Sequence, residues 1–215
     1  MTRVSGTPPE RWHAVVLAGG AARRFGRDKV LEVIGGRRLV DAALASLVDA
    51  DGRSVLLGTP ERAEALAPLL PVGVEALPDD HPGLGPMGGL ATALARRPTL
   101  WTAVLAADLP LVPRTWWAWL ASQHAPGSVA IVPRDARGRW EPLAALYHGS
   151  LAASLDASVL SGDRERLGFQ RWLHTLADDD LVTEVDASAM GAHALLNVNR
   201  PEDAAEVERL LVASG

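Results

Sequence analysis

The sequence predicts an α/β protein built in three layers, a mostly parallel, twisted sheet with helices on both faces. Three observations point there. From residue 12 onward, short apolar runs alternate with longer segments of helical period, the signal of successive strand and helix units around a parallel sheet. WHAVVLAGG and the run from Trp101 to Ala107 read as buried strands that end in glycines or in an aspartate. The chain of 215 residues, 48% hydrophobic and 22% charged, is long enough for one complete core.

The elements follow in order. After the first strand, Arg37 to Val48 carries Leu39, Val40, Ala43, Leu44 and Leu47 on one face and predicts a helix. Ser54 to Gly58 is a second strand, Glu61 to Leu69 a helix, and Val72 to Leu77 a third strand. Pro86 to Arg96 suits a helix opened by proline. Trp101 to Ala107 is the fourth strand, Val112 to Ser122 a helix, and Val129 to Pro133 a fifth strand. PLAALY at 142–147 predicts a strand, Ser150 to Leu176 two short helices, Leu181 to Val185 a short strand, and Pro201 to Val212 a closing helix. One domain is expected over residues 12–215, behind a flexible N-terminus at 1–11.

Composition excludes several classes of function. The formal charge is -5, from 21 basic and 26 acidic residues, so no overall positive field is available for nucleic acid or an anionic membrane. With no cysteine, disulfides, thiolate nucleophiles and cysteine-ligated zinc are ruled out. The six histidines stand apart at 13, 81, 124, 148, 174 and 193, without the spacing of a metal site. MTRVSGTPPER has no apolar core of the kind a secretory signal needs, and no stretch approaches the roughly 20 apolar residues of a membrane span. A cytoplasmic location is the expectation.

In an open parallel sheet, ligands bind where connections leave the carboxyl ends of strands. Four such places stand out. After the first strand, Leu17, Ala18, Gly19 and Gly20 lead into Arg23, Arg24 and Lys29. Glycines allow a sharp turn with exposed amide donors, and Arg24 and Lys29 add positive charge, a combination that fits a polyphosphate. The same residues fit a plain strand-to-helix turn. It is not a Walker loop, because Val30 follows Lys29. The second place, DDHPGLGPMGGL at 79–90, satisfies GxGxxG with Gly83, Gly85 and Gly88, but Asp79 to Pro82 separate those glycines from the strand, against a dinucleotide fingerprint. The third is Asp108 at the tip of the fourth strand, where a carboxylate can share a magnesium ion with substrate phosphates or can simply form a turn. The fourth is Asn197-Val198-Asn199-Arg200-Pro201, a helix start that also presents two amides.

These motifs resemble those of the MobA-like nucleotidyltransferases. LAGGAARRFGRDK resembles LAGGxSxRMGxDK, with Ala22 for serine and Phe25 for methionine. The segment from Asp79 resembles DxxPGxGPLxGI, with Met87 for leucine; AADLPLV resembles CDMPFL; EPLAALY resembles PLCALY; and NVNRPED resembles NINTPEDL. The motifs run in the family's order from about residue 13 to residue 210. The resemblance implies a Rossmann-like nucleotidyltransferase fold, with Leu17, Ala18, Gly19, Gly20, Arg24 and Lys29 on the triphosphate, Asp79 and Gly85 beside base and ribose, and Asp108 on Mg2+. Asn199 would offer the metal a neutral oxygen or contact the acceptor; Asn197 is open to the same use. Arg24, Lys29 and Asp108 are the expected catalytic residues.

The same resemblance implies transfer of GMP from GTP to a molybdopterin-type acceptor, with pyrophosphate released and a cofactor-delivery protein as a possible partner. This chain reads Leu57-Gly58-Thr59-Pro60 where the family's guanylyltransferases carry an asparagine after the second strand. A cytidylyltransferase, or a transferase for another phosphorylated metabolite, therefore stays open. So do a non-catalytic nucleotide-binding protein and a dehydrogenase. Trp116, Trp117 and Trp119, at helical spacing, are expected in the core or a subunit contact. Arg134, Arg137 and Arg139 suit either solvent or an anionic acceptor, and Asp178 to Asp180 a solvated turn.

Overall fold

The structure, a computed structural model, describes residues 9–19, 31–96, 101–160 and 168–213. Strands β1 (Trp12–Leu17), β4 (Gly52–Leu56), β5 (Val74–Leu77), β6 (Trp101–Ala106), β7 (Ala130–Arg134), β8 (Ala144–His148) and β9 (Val182–Asp186) form one sheet in the order β5-β4-β1-β6-β8-β7-β9. All run the same way except β8, which lies antiparallel to both of its neighbours.

The period-2 alternation of these strands divides the core in two. One face presents Ala14, Val16, Val55, Ala103, Leu105 and Leu146 to helices α1 (Leu39–Ser46), α2 (Pro60–Leu66) and α4 (Trp116–Ser122). The other presents Val104, Ala130, Val132, Ala145 and Tyr147 to α3 (Gly85–Ala95), α5 (Ala152–Leu160) and α6 (Phe169–Asp178). This is the three-layer arrangement the sequence predicts. The closing helix α7 (Pro201–Ala213) packs through Val207 on Ile34, Leu39 and Val198, at the flank.

Several boundaries differ from the sequence expectation, each for a local reason. The helix expected from Arg37 begins at Leu39, because Arg37–Arg38 (β3) pairs with Val33–Ile34 (β2) in a small hairpin. Gly35 and Gly36 both hold positive φ in its turn, as a two-residue hairpin loop of this hand requires. The helix expected from Val112 begins at Trp116; Pro113 disfavours helical backbone at the residue before it. Likewise α2 ends at Leu66 and tightens into a 3-10 turn at Ala67–Leu69 around Pro68. Pro142 has no N–H to give a ladder, and β8 starts two residues later. Trp116 and Trp117 are core residues as expected, with the Trp116 indole N–H donating to the Ala144 carbonyl at 2.9 Å.

Candidate active site

The chain passes from β1 outward to β4 and β5, then returns to β6 on the other side of β1, so the strand order reverses between β1 and β6. At such a reversal the two outgoing connections separate and leave a crevice at the carboxyl edge. Leu17 lies opposite Ala106 in the parallel register, and the Ala107 N–H donates to the Leu17 carbonyl at 3.1 Å. The turn at Ala18 and Gly19 and the aspartate at 108 thus leave neighbouring strands side by side, on one edge. Gly20, Arg24 and Lys29 lie outside the described residues.

Asp108 is half-buried. Its main-chain carbonyl accepts from Val198 N–H at 2.9 Å, which brings the late asparagine segment onto the same edge. With its amide nitrogen turned toward the carboxylate, Asn197 donates to Asp108 Oδ1 at 2.9 Å and Oδ2 at 3.3 Å. Asn199 stands two residues further on. Its N–H and that of Arg200 both donate to Asp203 Oδ2 at 2.8 Å, so this part of the segment caps α7. The Asn197 side chain thus meets Asp108 directly.

Asp79 sits where the chain leaves β5. Its N–H donates to the Gly58 carbonyl at 2.7 Å, and its Oδ1 accepts from the Thr92 hydroxyl at 2.7 Å and from His81 N–H at 2.9 Å. Thr92 is fully buried on α3. The neighbouring Asp80 pairs with Arg96 at 3.0 Å. The acidic pair therefore fixes the approach to α3, whose first residue, Gly85, takes positive φ. Gly88, one turn on, lets the helix lie against this approach: a Cβ there would fall 2.7 Å from the His81 carbonyl oxygen.

Two residues of this edge are not singled out by the sequence reading. Glu141 is one. Because β8 runs against its neighbours, the residues that enter it, rather than those that leave it, lie at the carboxyl edge of β6; the Ala106 N–H donates to the Leu143 carbonyl at 2.8 Å. Burial pushes the Glu141 carboxyl up to about 7; the Leu143 N–H opposes the rise, and the negative charge of Asp108 adds to it. The antiparallel turn of β8 hid this residue, although EPLAALY was visible as a motif. The other is Arg62 on α2, which donates to the Ala18 and Leu57 carbonyls at 2.7 and 2.8 Å.

Of the three arginines at the end of β7 and in the connection to β8, the side chains of Arg134 and Arg139 are engaged locally. Arg134 bonds Glu184 at 2.6 Å and lies over the Trp140 ring, and Arg139 pairs with Asp135 at 2.9 Å. Among the described residues, no helix is long and apolar enough to cross a membrane.

A glycine turn and a strand-tip carboxylate side by side at the switch point of a mostly parallel sheet define a nucleotide-handling α/β protein. The chain belongs to the MobA-like NTP transferase family, whose domain it matches over residues 14–181. It is 34% identical over 194 residues to a probable molybdenum cofactor guanylyltransferase of Deinococcus radiodurans, covering 90% of this chain and 92% of that one. It is 33% identical over 211 residues to the molybdenum cofactor guanylyltransferase of Rhizobium johnstonii, with 93% and 92% covered. In fold it is similar to the molybdopterin-guanine dinucleotide biosynthesis protein A of Archaeoglobus fulgidus, with a TM-score of 0.74 at 23% identity over 94% of this chain and 99% of that one. A 2-C-methyl-D-erythritol 4-phosphate cytidylyltransferase of Thermus thermophilus shares the fold at a TM-score of 0.63 and 20% identity, over 93% and 98% of the two chains. The chain is a nucleotidyltransferase.

Proposed function

We propose that this nucleotidyltransferase moves GMP from GTP onto the terminal phosphate of a molybdopterin-type acceptor. The observation that carries the reading is the register of Leu17 with Ala106, which makes the glycine turn and Asp108 neighbours on one edge. The guanylyltransferase relatives support the choice of base and acceptor.

In this reading the Gly19 and Gly20 amides, with Arg24 and Lys29, take the triphosphate, while Asp79 and Gly85 shape the pocket for base and ribose; Leu17 belongs to β1 and the Ala18 N–H is spent on the Leu56 carbonyl, so these two residues place the turn rather than donate to the phosphates. An acceptor phosphate oxygen attacks the α-phosphorus, the bond from that phosphorus to the α–β bridging oxygen breaks, and pyrophosphate leaves. A phosphate monoester is largely ionised near neutral pH, so no side chain has to remove a proton. Positioning and neutralisation of charge supply the acceleration.

The donor set at Asp108 suits Mg2+. Among the described residues no group of three His, Asp or Glu side chains forms a closed metal cage. Magnesium is commonly held by one or two carboxylates and shares its remaining positions with substrate phosphates and water. Asp108 would hold the ion, and the amide oxygens of Asn197 and Asn199 are the nearby neutral donors. Bound there, Mg2+ would neutralise negative charge on the phosphates.

The test is incubation with each labelled nucleoside triphosphate, Mg2+ and molybdopterin. Pyrophosphate release with GTP preferred is the expected result; preference for CTP would reassign the base, and no release with any triphosphate would remove the transferase reading.

A further inference from the structure

We propose that Arg62 is a positioning residue for the triphosphate: it sets the orientation of the glycine turn by holding two main-chain carbonyls at the ends of β1 and β4. This inference rests on the nucleotidyltransferase reading and adds to it a residue outside the family's recognisable motifs.

The geometry begins where the β1–β4 ladder ends. Its last bond runs from the Ala18 N–H to the Leu56 carbonyl at 2.9 Å. Beyond it the strands give way to Gly19 and Gly58, which lie side by side: a Cβ on Gly19 would be in van der Waals contact with the Gly58 nitrogen at 3.4 Å. Gly58 also holds a positive φ of 81°. The carbonyls just before these glycines, of Ala18 and Leu57, belong to buried residues where solvent is scarce. Two carbonyl oxygens brought together there repel and need donors.

Arg62 supplies both from a single nitrogen. The two protons of Nη1 reach Ala18 O at 2.7 Å and Leu57 O at 2.8 Å. The side chain is sent there by the start of α2: Thr59 caps the helix by accepting from the Arg62 N–H at 3.4 Å, and Pro60 occupies the first turn. The Gly58 carbonyl is in turn taken by the Asp79 N–H at 2.7 Å. Arg62 therefore lashes together the outgoing ends of β1 and β4, and Asp79 extends the lashing to β5.

The functional consequence follows from peptide planarity. In a trans peptide, C=O and N–H point in opposite directions. Holding the Ala18 carbonyl against Arg62 turns the Gly19 N–H the other way, and holding the Leu57 carbonyl does the same for Gly58. Amides fixed in one direction at a glycine turn are what a phosphate oxygen needs as donors. The guanidinium, always charged, also places a cation directly behind the turn.

The experiment measures binding of Mg2+ with a non-hydrolysable GTP analogue by calorimetry, together with the shift of the Gly19 amide resonance on binding. Wild type, Arg62→Ala and Arg62→Lys are compared. Loss of preorganised geometry is expected to weaken binding roughly 10- to 100-fold in R62A. The Gly19 shift should shrink, KM for the triphosphate should rise more than kcat falls, and R62K, which keeps a cation with several donors, should recover part of the loss. Thermal melting of each variant accompanies the titrations, and R62K provides the comparison if R62A melts early. Binding in R62A equal to wild type, or a fall in melting temperature with an unchanged Gly19 shift and unchanged KM, would overturn the role of Arg62 while leaving the transferase reading intact. A wild-type protein that binds no nucleoside triphosphate would overturn both.

Discussion

The two ends of the sheet solve the same problem differently. At the amino end, polar groups are tied to one another by side chains. Arg11 pairs with Asp51 at 2.9 Å, and a line of three residues crosses three strands: His13 Nε2 lies 2.9 Å from Ser54 Oγ, and the Ser54 hydroxyl donates to Glu75 at 3.2 Å. At the carboxyl end, side chains pair as well, as Thr92 does with Asp79, but they also tie down main chain: Arg62 holds two carbonyls, and Asp79 receives the His81 N–H. An end in which side chains satisfy each other is finished. An end in which side chains are used to orient backbone leaves that backbone's other groups directed outward, where a ligand can meet them. The comparison predicts that changes at the carboxyl end should alter catalysis more than stability, and those at the amino end the reverse.

The strongest test is Asp108→Ala. Turnover is expected to fall on the order of 10³-fold if, as proposed, Asp108 holds the ion that neutralises the phosphates. The half-buried carboxylate contributes little to the core, so the melting temperature should stay within about 2 °C of wild type. Steady-state kinetics and calorimetric melting on the same preparation check both halves. Retained turnover would break the comparison at its most important point.

Glu141→Gln comes next, and its effect depends on pH. The folded protein raises this carboxyl from an ordinary 4.5 to about 7, so the protonated form is the one the fold prefers. Wild type therefore keeps the associated stability below about pH 4.5 and loses it as pH rises through about 7. Glutamine stays neutral throughout. Relative to wild type, the variant should gain stability progressively over that interval and hold a constant advantage above it, up to about 3 kcal/mol. Denaturant melts across the pH range measure this. Mg2+ held at Asp108 would offset the neighbouring negative charge, so repeating the series with Mg2+ should lower the midpoint; an unmoved midpoint would place the ion elsewhere.

Much of the carboxyl edge was legible in the sequence, because the residues that form it are contiguous. The glycine turn, Asp79, and Asp108 at the end of WTAVLAADLP are local signals, and alternation of apolar residues placed the strands that carry them. What was illegible depends on pairing between distant segments. Glu141 reaches the edge only because β8 is reversed, and a strand's direction is not encoded in its own residues. Arg62 carries no local signal; nothing near it in sequence announces that two carbonyls 44 and 5 positions away converge on its side chain. The contact of Asn197 with Asp108 is a similar case, since it depends on the Val198 N–H reaching the Asp108 carbonyl from a segment much further along the chain. The hairpin before α1 shows the opposite case, where an adjacent glycine pair carried the signal and the helical periodicity beyond it obscured it.

Gly88→Ala tests the junction between the acidic approach and α3. An added methyl would meet the His81 carbonyl at 2.7 Å and the Leu84 Cβ at 3.2 Å, so the approach must move. A loss of about 1–3 kcal/mol is expected from overpacking, with KM for the triphosphate rising alongside it because the displaced segment carries Asp79. A stability loss with KM unchanged would detach this segment from the nucleotide.

Ser54→Ala is the smallest effect and the counterpart at the finished end. Ser54 and His13 are both buried, and the single hydroxyl proton of Ser54 goes to Glu75, so His13 Nε2 must carry the proton shared with Ser54 Oγ. Alanine removes one hydroxyl that bridges the His13 ring and the Glu75 carboxylate, at a cost of about 1 kcal/mol. The site lies at the opposite end of the strands, so kcat and KM should match wild type at a temperature where both proteins are fully folded. A change in kcat or KM under those conditions would show that the two ends are coupled through the strands, and that the amino end is more than a closed seam.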